Sequence, residues 1–177
     1  MRYLIALPLK KSESSQFIEL REKYKNMAPR WKITLGPHIT LYRPSAAKIE
    51  LNNAISEFKN AAPFRRFKRD FSSFDAFIGH SSSAVYYEPK DYESFEQIKN
   101  IYLPEALKIM QDTSDAWPFH PHITLVNRLD SDSAIALKKQ LASTKLISSY
   151  EFDRVCLYKK ELDDIDWIEI ASNKLEK

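Results

Sequence analysis

Apolar and polar positions fall into short blocks along this chain, and each block predicts one element. Residues 2–9 are almost continuously apolar, through Tyr3-Leu4-Ile5-Ala6-Leu7, and read as a buried strand. Ser12, Ser14 and Ser15 offer caps for a helix reaching about Asn26, with Phe17, Ile18, Leu20 and Tyr24 for its buried side. A strand starting at Pro37 is predicted to stop at Pro44. Ser45 then caps a helix to about Asn60, with Ile49, Ala54, Ile55 and Phe58 as its stripe. Residues 64–78 place phenylalanines at 64, 67, 71, 74 and 77, a spacing closer to helix than to strand. Asp70, Ser72, Ser73 and Asp75 are poor helix formers and aromatics favour strands, so the segment is read as extended. Ala84–Glu88 reads as a strand ended by Pro89. Residues 91–111 read as a helix through Phe95, Ile98, Ile101, Tyr102 and Leu107, with Pro104 starting a new turn or kinking it. A strand follows from Pro121, then a helix near 131–143 capped by Ser131 or Asp132, and strands at about 147–160 and 165–172.

Two of these strands begin with the same pentapeptide. Pro37-His38-Ile39-Thr40-Leu41 recurs as Pro121-His122-Ile123-Thr124-Leu125, and each copy is followed by a helix. This order resembles an internal duplication. The expected fold is α+β and bilobal: two lobes related by a pseudo-twofold, each with an antiparallel sheet and outer helices, forming one domain over residues 1–177 with a central cleft.

Composition narrows the options without deciding among them. A chain of 177 residues at 44% hydrophobic supports one real core. A net charge of +3 tolerates a phosphorylated ligand. Cys156 stands alone, so no internal disulfide is available, which fits a reducing compartment. The apolar opening is too short for a membrane span and lacks a small-residue cleavage site before Lys10-Lys11, so a cytoplasmic protein is expected. With only Gly36 and Gly79 present, glycine-rich phosphate cradles are excluded. A serine-nucleophile elbow is absent as well.

On a strand, residues i and i+2 share a face, so His38 projects with Thr40 and His122 with Thr124. If the two strands face one cleft, two imidazoles and two hydroxyls converge there. One neutral histidine can take a proton from an attacking oxygen and one protonated histidine can give a proton to a leaving oxygen. The threonines can donate to non-bridging oxygens. Histidine suits both roles because its ordinary pKa lies near neutrality. This scheme calls for no metal and no cofactor.

The paired His-x-Thr motifs, the opening Arg2-Tyr3-Leu4-Ile5-Ala6-Leu7 and the segment Phe119–Leu125 resemble the 2H phosphoesterase superfamily, in its 2′-5′ RNA ligase or RNA 2′,3′-cyclic phosphodiesterase branch. The likeness runs over nearly the whole chain. It implies a bilobal fold and metal-independent hydrolysis of a 2′,3′-cyclic phosphate on RNA or a small nucleotide, with 2′-5′ ligation as the reverse reaction. It also implies His38 as general acid and His122 as the base that activates water. The chain departs from the pattern in two places. Asn127 stands where the second motif often has Arg, with Arg128 next, and the first motif ends Leu41-Tyr42-Arg43-Pro44. If the strands stay regular, Arg128 shares the face of His122 and is a phosphate-contact candidate, Arg43 opposes His38, and Tyr42 lies on the His38 face where it could stack on a base.

Blander readings compete for the remaining residues. His120 forms a His-x-His pair with His122, which invites a metal reading, but no thiol or carboxylate motif accompanies it. It is read as a cleft-edge residue with Phe119. His80, in the polar loop 79–83, is read as solvated. Arg65-Arg66 and Lys68-Arg69 could guide an RNA backbone or simply be solvated charges. Trp31, Trp117, Phe119, Tyr86 and Tyr87 include potential stacking platforms, although most aromatics belong to cores. A nucleotide- or RNA-binding module using the same cleft without turnover is the alternative function. No membrane or obligate protein partner is expected.

Overall fold

A computed structural model describes residues 1–114, 118–146 and 148–177. The chain runs β1 (Arg2–Pro8), α1 (Lys11–Tyr24), β2 (His38–Ala46), α2 (Leu51–Lys59), β3 (Phe67–Phe77), β4 (Ser83–Pro89) and α3 (Glu93–Ile109). It continues through β5 (Ile123–Leu129), α4 (Ser131–Leu141), β6 (Ser149–Phe152), β7 (Arg154–Lys160) and β8 (Ile168–Lys174). The strands form one antiparallel ladder in the order β6-β3-β4-β5-β2-β1-β7-β8. The α+β class is as expected. Its two four-stranded halves join through one residue pair, Ile39 with Ile123. That pair joins the central residues of the two pentapeptides.

The units β1–α1–β2 and β4–α3–β5 repeat one another, each a helical excursion between antiparallel neighbours. The likeness extends to irregularity. Pairing skips one residue between Thr40 and Tyr42 opposite β1, and one between Thr124 and Val126 opposite β4. Both motif strands therefore carry a bulge at the leucine after the threonine, and an extra residue reverses the side-chain alternation beyond it.

The helices cover one face of the ladder, where Ile5, Leu7, Phe17, Ile39, Phe58, Phe95, Ile123 and Phe152 are fully buried in one core. Each such side chain contributes about 1.5–3 kcal/mol relative to exposure. The opposite face of β1 and β7 carries a smaller cluster of Leu4, Ala6, Cys156 and Tyr158, covered by Leu35 and Trp167. Ala6 pairs with Thr40, so this second face is the one that presents the histidines and threonines.

Several boundaries differ from expectation for visible reasons. β2 runs through Pro44 because Arg43 and Pro44 sit in a second irregularity opposite Leu4, where no ladder bond is required of the proline. Ser45 is consequently a strand residue, and its Oγ accepts the backbone N–H of Asp112 at 2.8 Å rather than capping a helix. Asp130, not Ser131 or Asp132, caps α4, accepting from the N–H of Ser133 at 2.8 Å. The segment expected as one strand over 147–160 is two, with only Asp153 between β6 at one edge of the ladder and β7 in the other half. The extended reading of 64–78 agrees with β3, and Pro104 lies inside α3.

Candidate active site

His38 opens β2 and His122 immediately precedes β5, on either side of the seam. Each makes the same local bond: Nδ1 of His38 meets the carbonyl of Gly36 at 2.7 Å, and Nδ1 of His122 meets the carbonyl of His120 at 2.7 Å. A carbonyl only accepts, so the proton sits on Nδ1 in both rings and Nε2 is left for a ligand. Extending the Ile39–Ile123 register by one residue each way sets His38 beside Thr124 and Thr40 beside His122. This register brings two imidazoles and two hydroxyls to one region of one face.

Burial disfavours the charged form of both rings. It pushes the pKa of His38 down to about 4, against the Gly36 carbonyl bond, and the charges of Arg21 and His122 add to the depression. His38 keeps part of its surface in solvent and carries a neutral imidazole at neutral pH. His122 is also lowered, first by burial and then by His120, while its bond to the His120 carbonyl and the Glu88 carboxylate act the other way.

Arg21 was not singled out from the sequence. It projects from the last turn of α1, is 3% exposed, and binds β5 and the segment just before β2. Its Nε donates to the carbonyl of Thr124 at 3.0 Å, Nη2 donates to the same oxygen, and Nη1 donates to the carbonyl of Leu35 at 3.3 Å. Phe17 and Trp31 face its guanidinium at 5.3 and 5.8 Å. The available signal was its position: Phe17, Arg21 and Tyr24 follow helical spacing, which puts a charge inside the apolar stripe.

On the β5 side, Tyr86 and Phe77 stack at 4.2 Å and wall in His122, with ring centroids 5.1 and 5.0 Å from it. His120 lies against Tyr86 and Phe77, and its Nε2 is 3.3 Å from the Glu88 carboxylate. The Tyr92 hydroxyl donates to Glu88 and also contacts His120. Among the described residues no three His, Cys, Asp or Glu side chains are grouped to hold a metal.

The bulges relocate three of the predicted residues. Tyr42 faces the core, 1% exposed, and donates its hydroxyl to the carbonyl of Lys99 at 2.6 Å, so it is not a base-stacking residue. Arg43 is carried onto the ligand face instead of opposing His38. Arg128 does not follow the alternation that placed it beside His122, because its backbone turns left-handed at φ 63° and the ladder skips it. It nevertheless reaches a basic cavity of about 820 Å³ on this face, donating from Nη1 to the carbonyl of Arg30 at 3.2 Å.

Arg2, Arg30, Lys32, Arg43, Arg128 and Lys160 line that cavity, facing Asp112 and Asp164 among the described residues, with Trp31 and Trp167 in its walls. Arg2 and Lys160 donate to the carbonyls of Pro44 and Ile165, bonds that orient a cation without neutralising it. Of the other candidate platforms, Tyr87 belongs to the core, Lys99 lies 4.4 Å over the ring of Phe119, and Trp117 is outside the described residues. Arg66 and Arg69 pair with Glu151 and Asp91 at the β3 edge, and His80 is exposed.

The chain matches the 2′-5′ RNA ligase superfamily over residues 9–164. It is similar in fold to Escherichia coli LigT (18% identity, TM-score 0.62) and to TT0787 of Thermus thermophilus (18%, TM-score 0.66). It is also similar to Usb1 of Kluyveromyces marxianus (10%, TM-score 0.58), and in all three the match covers 99% of this chain and 98% of the other. LigT complexed with 3′-AMP matches at 19% identity and TM-score 0.62 over the same shares of the two chains. No curated protein sequence matches.

Proposed function

The chain belongs to the 2′-5′ RNA ligase superfamily, and on that premise we propose that it opens 2′,3′-cyclic phosphates at RNA ends with water, and that a 5′-hydroxyl attacking in place of water would give 2′-5′ ligation. The observation that carries this reading is the matched pair of imidazoles, each held by an Nδ1–carbonyl bond and offering Nε2 beside the other strand's threonine. One Nε2 takes a proton from water as its oxygen bonds to phosphorus. The bond from phosphorus to the ribose 3′ oxygen breaks, and the other imidazole protonates that oxygen, leaving a 2′-phosphate. Thr40 and Thr124 donate to the non-bridging oxygens as charge builds on them. Each proton transfer is worth about 10²–10⁴ in rate.

The basic cavity favours an RNA chain over a lone mononucleotide. Oriented cations suit successive phosphates, and Trp31 and Trp167 offer π faces to unstacked bases. That LigT has been seen with 3′-AMP is consistent with a nucleotide-sized ligand on this fold. The test is the pH dependence of kcat/KM on a short oligoribonucleotide ending in the cyclic phosphate. A bell-shaped profile, with turnover lost in His38→Ala and in His122→Ala, is expected. Binding that survives both changes without any turnover would replace the enzyme by a recognition module.

A further inference from the structure

The two halves of the ligand face are finished differently. On the β1–β7 half, Leu4, Ala6, Cys156 and Tyr158 are packed under Leu35 and Trp167. The corresponding strands of the other half, β4 and β3, present Tyr86, which stands opposite Thr124 in the ladder, and then Phe77. This aromatic row stays open: Phe77 is 40% exposed, the most exposed aromatic side chain among the described residues. Its ring is nonetheless held in place. Tyr86 stacks on one face, with centroids 4.2 Å apart and planes 27° from parallel. The His122 ring is 5.0 Å from Phe77 and 5.1 Å from Tyr86, and the His120 ring is 5.2 Å from each. Imidazoles equally far from both stacked rings stand beside the stack, so neither covers the outer face of Phe77.

We infer that Phe77 is the platform for the base of the nucleotide that carries the cyclic phosphate, and so sets how strongly turnover depends on the terminal base. The inference rests on the phosphodiesterase reading above. His122 offers Nε2 to the reacting phosphate, and a single ribose separates that phosphate from its base. A base tethered there reaches the outer face of Phe77 and makes the stack three rings deep. The carboxylates of Asp75 and Glu88 stand near Tyr86, which disfavours a second phosphate on this side and leaves it to the neutral part of the nucleotide. Because Tyr86 already immobilises Phe77, little side-chain entropy is lost on binding. Every base has a π face, so all four are accepted, and purines, with the larger face, gain most. The chain 5′ to the terminal nucleotide then leads across the seam to the basic cavity, where β1, β2 and β7 supply Arg2, Arg43 and Lys160. Terminal base and upstream phosphates are read on opposite halves of the face.

The test compares the parent with Phe77→Ala, Phe77→Leu and Phe77→Trp on three esters: adenosine 2′,3′-cyclic phosphate, uridine 2′,3′-cyclic phosphate and a base-free methyl riboside 2,3-cyclic phosphate. Loss on the base-free ester measures what Phe77 does through its contact with His122, and the excess on the nucleotides measures stacking. Phe77→Ala is expected to lose about 5–150-fold more in kcat/KM on the adenosine ester than on the base-free one, the span that removal of a stacked aromatic costs. The excess should fall on KM, since the base stacks alike in ground and transition states. It should be smaller with uridine, and Phe77→Trp should keep the parental preference for a base. Equal losses on the adenosine and base-free esters, or an unchanged KM for the adenosine ester in folded Phe77→Ala, overturn the inference. Where Phe77→Ala does not fold, Phe77→Leu, which keeps an apolar side chain without a π face, carries the comparison. If the parent turns over none of the esters, the phosphodiesterase reading fails, and binding alone judges the platform. Adenosine 2′-monophosphate should then bind the parent at least about fivefold more tightly than methyl riboside 2-phosphate, a difference lost in Phe77→Leu. Equal affinities in the parent would overturn the platform as well.

Discussion

Replacing Arg128 by glycine should make this protein more stable and a poorer binder of RNA. Arg128 holds a left-handed backbone at φ 63°, a conformation that costs an L-residue about 1–2 kcal/mol and glycine almost nothing. Against that relief stand the greater chain entropy of glycine, about 0.5–1 kcal/mol, and one exposed bond to the Arg30 carbonyl. The expected net gain is about 0.5 kcal/mol, read as a higher midpoint in urea at unchanged slope. Strain kept at a non-glycine position points to a use for the side chain, and here the side chain is a cation in the basic cavity. If each of the six basic residues there met one phosphate, log affinity against log salt would fall with a slope of about −4, which the two aspartates bring nearer −3. Removing Arg128 should lessen that slope by about 0.7. Between 50 and 200 mM salt the parent then loses about sixtyfold in affinity and the variant about twenty-five-fold. Fluorescence of the cavity tryptophans during titration with an oligoribonucleotide supplies the binding curves. A less stable variant would refute the strain argument, and an unchanged salt slope would refute the phosphate contact.

Other substitutions probe separate links. Tyr42→Phe should cost about 0.5–1.5 kcal/mol in urea by removing the hydroxyl's bond to the Lys99 carbonyl, yet leave kcat/KM within about twofold, because the bulge at Leu41 turns Tyr42 away from the site. A variant of full stability but low activity would mean that the strand alternation has been misread. Gly79→Ala would set a Cβ 2.5 Å from the Ser82 carbonyl oxygen and should destabilise the β3–β4 turn by about 1–3 kcal/mol, seen as a lower Tm. Because folding depresses the pKa of His38, its contribution to stability is complete above about pH 6.5 and declines as pH falls towards about 4. Chemical denaturation from pH 7 to 4 should show a shallower decline in His38→Ala than in the parent, and identical slopes would contradict a buried neutral ring.

The motif and most elements were legible because they depend on local rules. Period-two placement of His38 with Thr40, and of His122 with Thr124, survives because both motifs lie before the bulge. The same rule fails one residue later, at Tyr42 and Arg43, since no local signal in Thr-Leu-Tyr or Thr-Leu-Val marks an extra strand residue. The break at Asp153 was hidden because Tyr150, Phe152, Val155 and Leu157 are all core residues, and one apolar pattern spans two strands. Arg21, Glu88 and the cationic cavity depend on contacts between distant segments, such as Arg21 with Thr124. Of these, only the charge within the apolar stripe of α1 left a trace in sequence.

The central claim meets its most direct test in a single assay. An oligoribonucleotide ending in a 2′,3′-cyclic phosphate is incubated with the protein and EDTA, beside His38→Ala and His122→Ala, and the terminal phosphate is located in the product. The account predicts ring opening by the parent alone, giving a 2′-phosphate. It is contradicted if the folded parent leaves the ring closed, or if either histidine variant opens it at the parental rate.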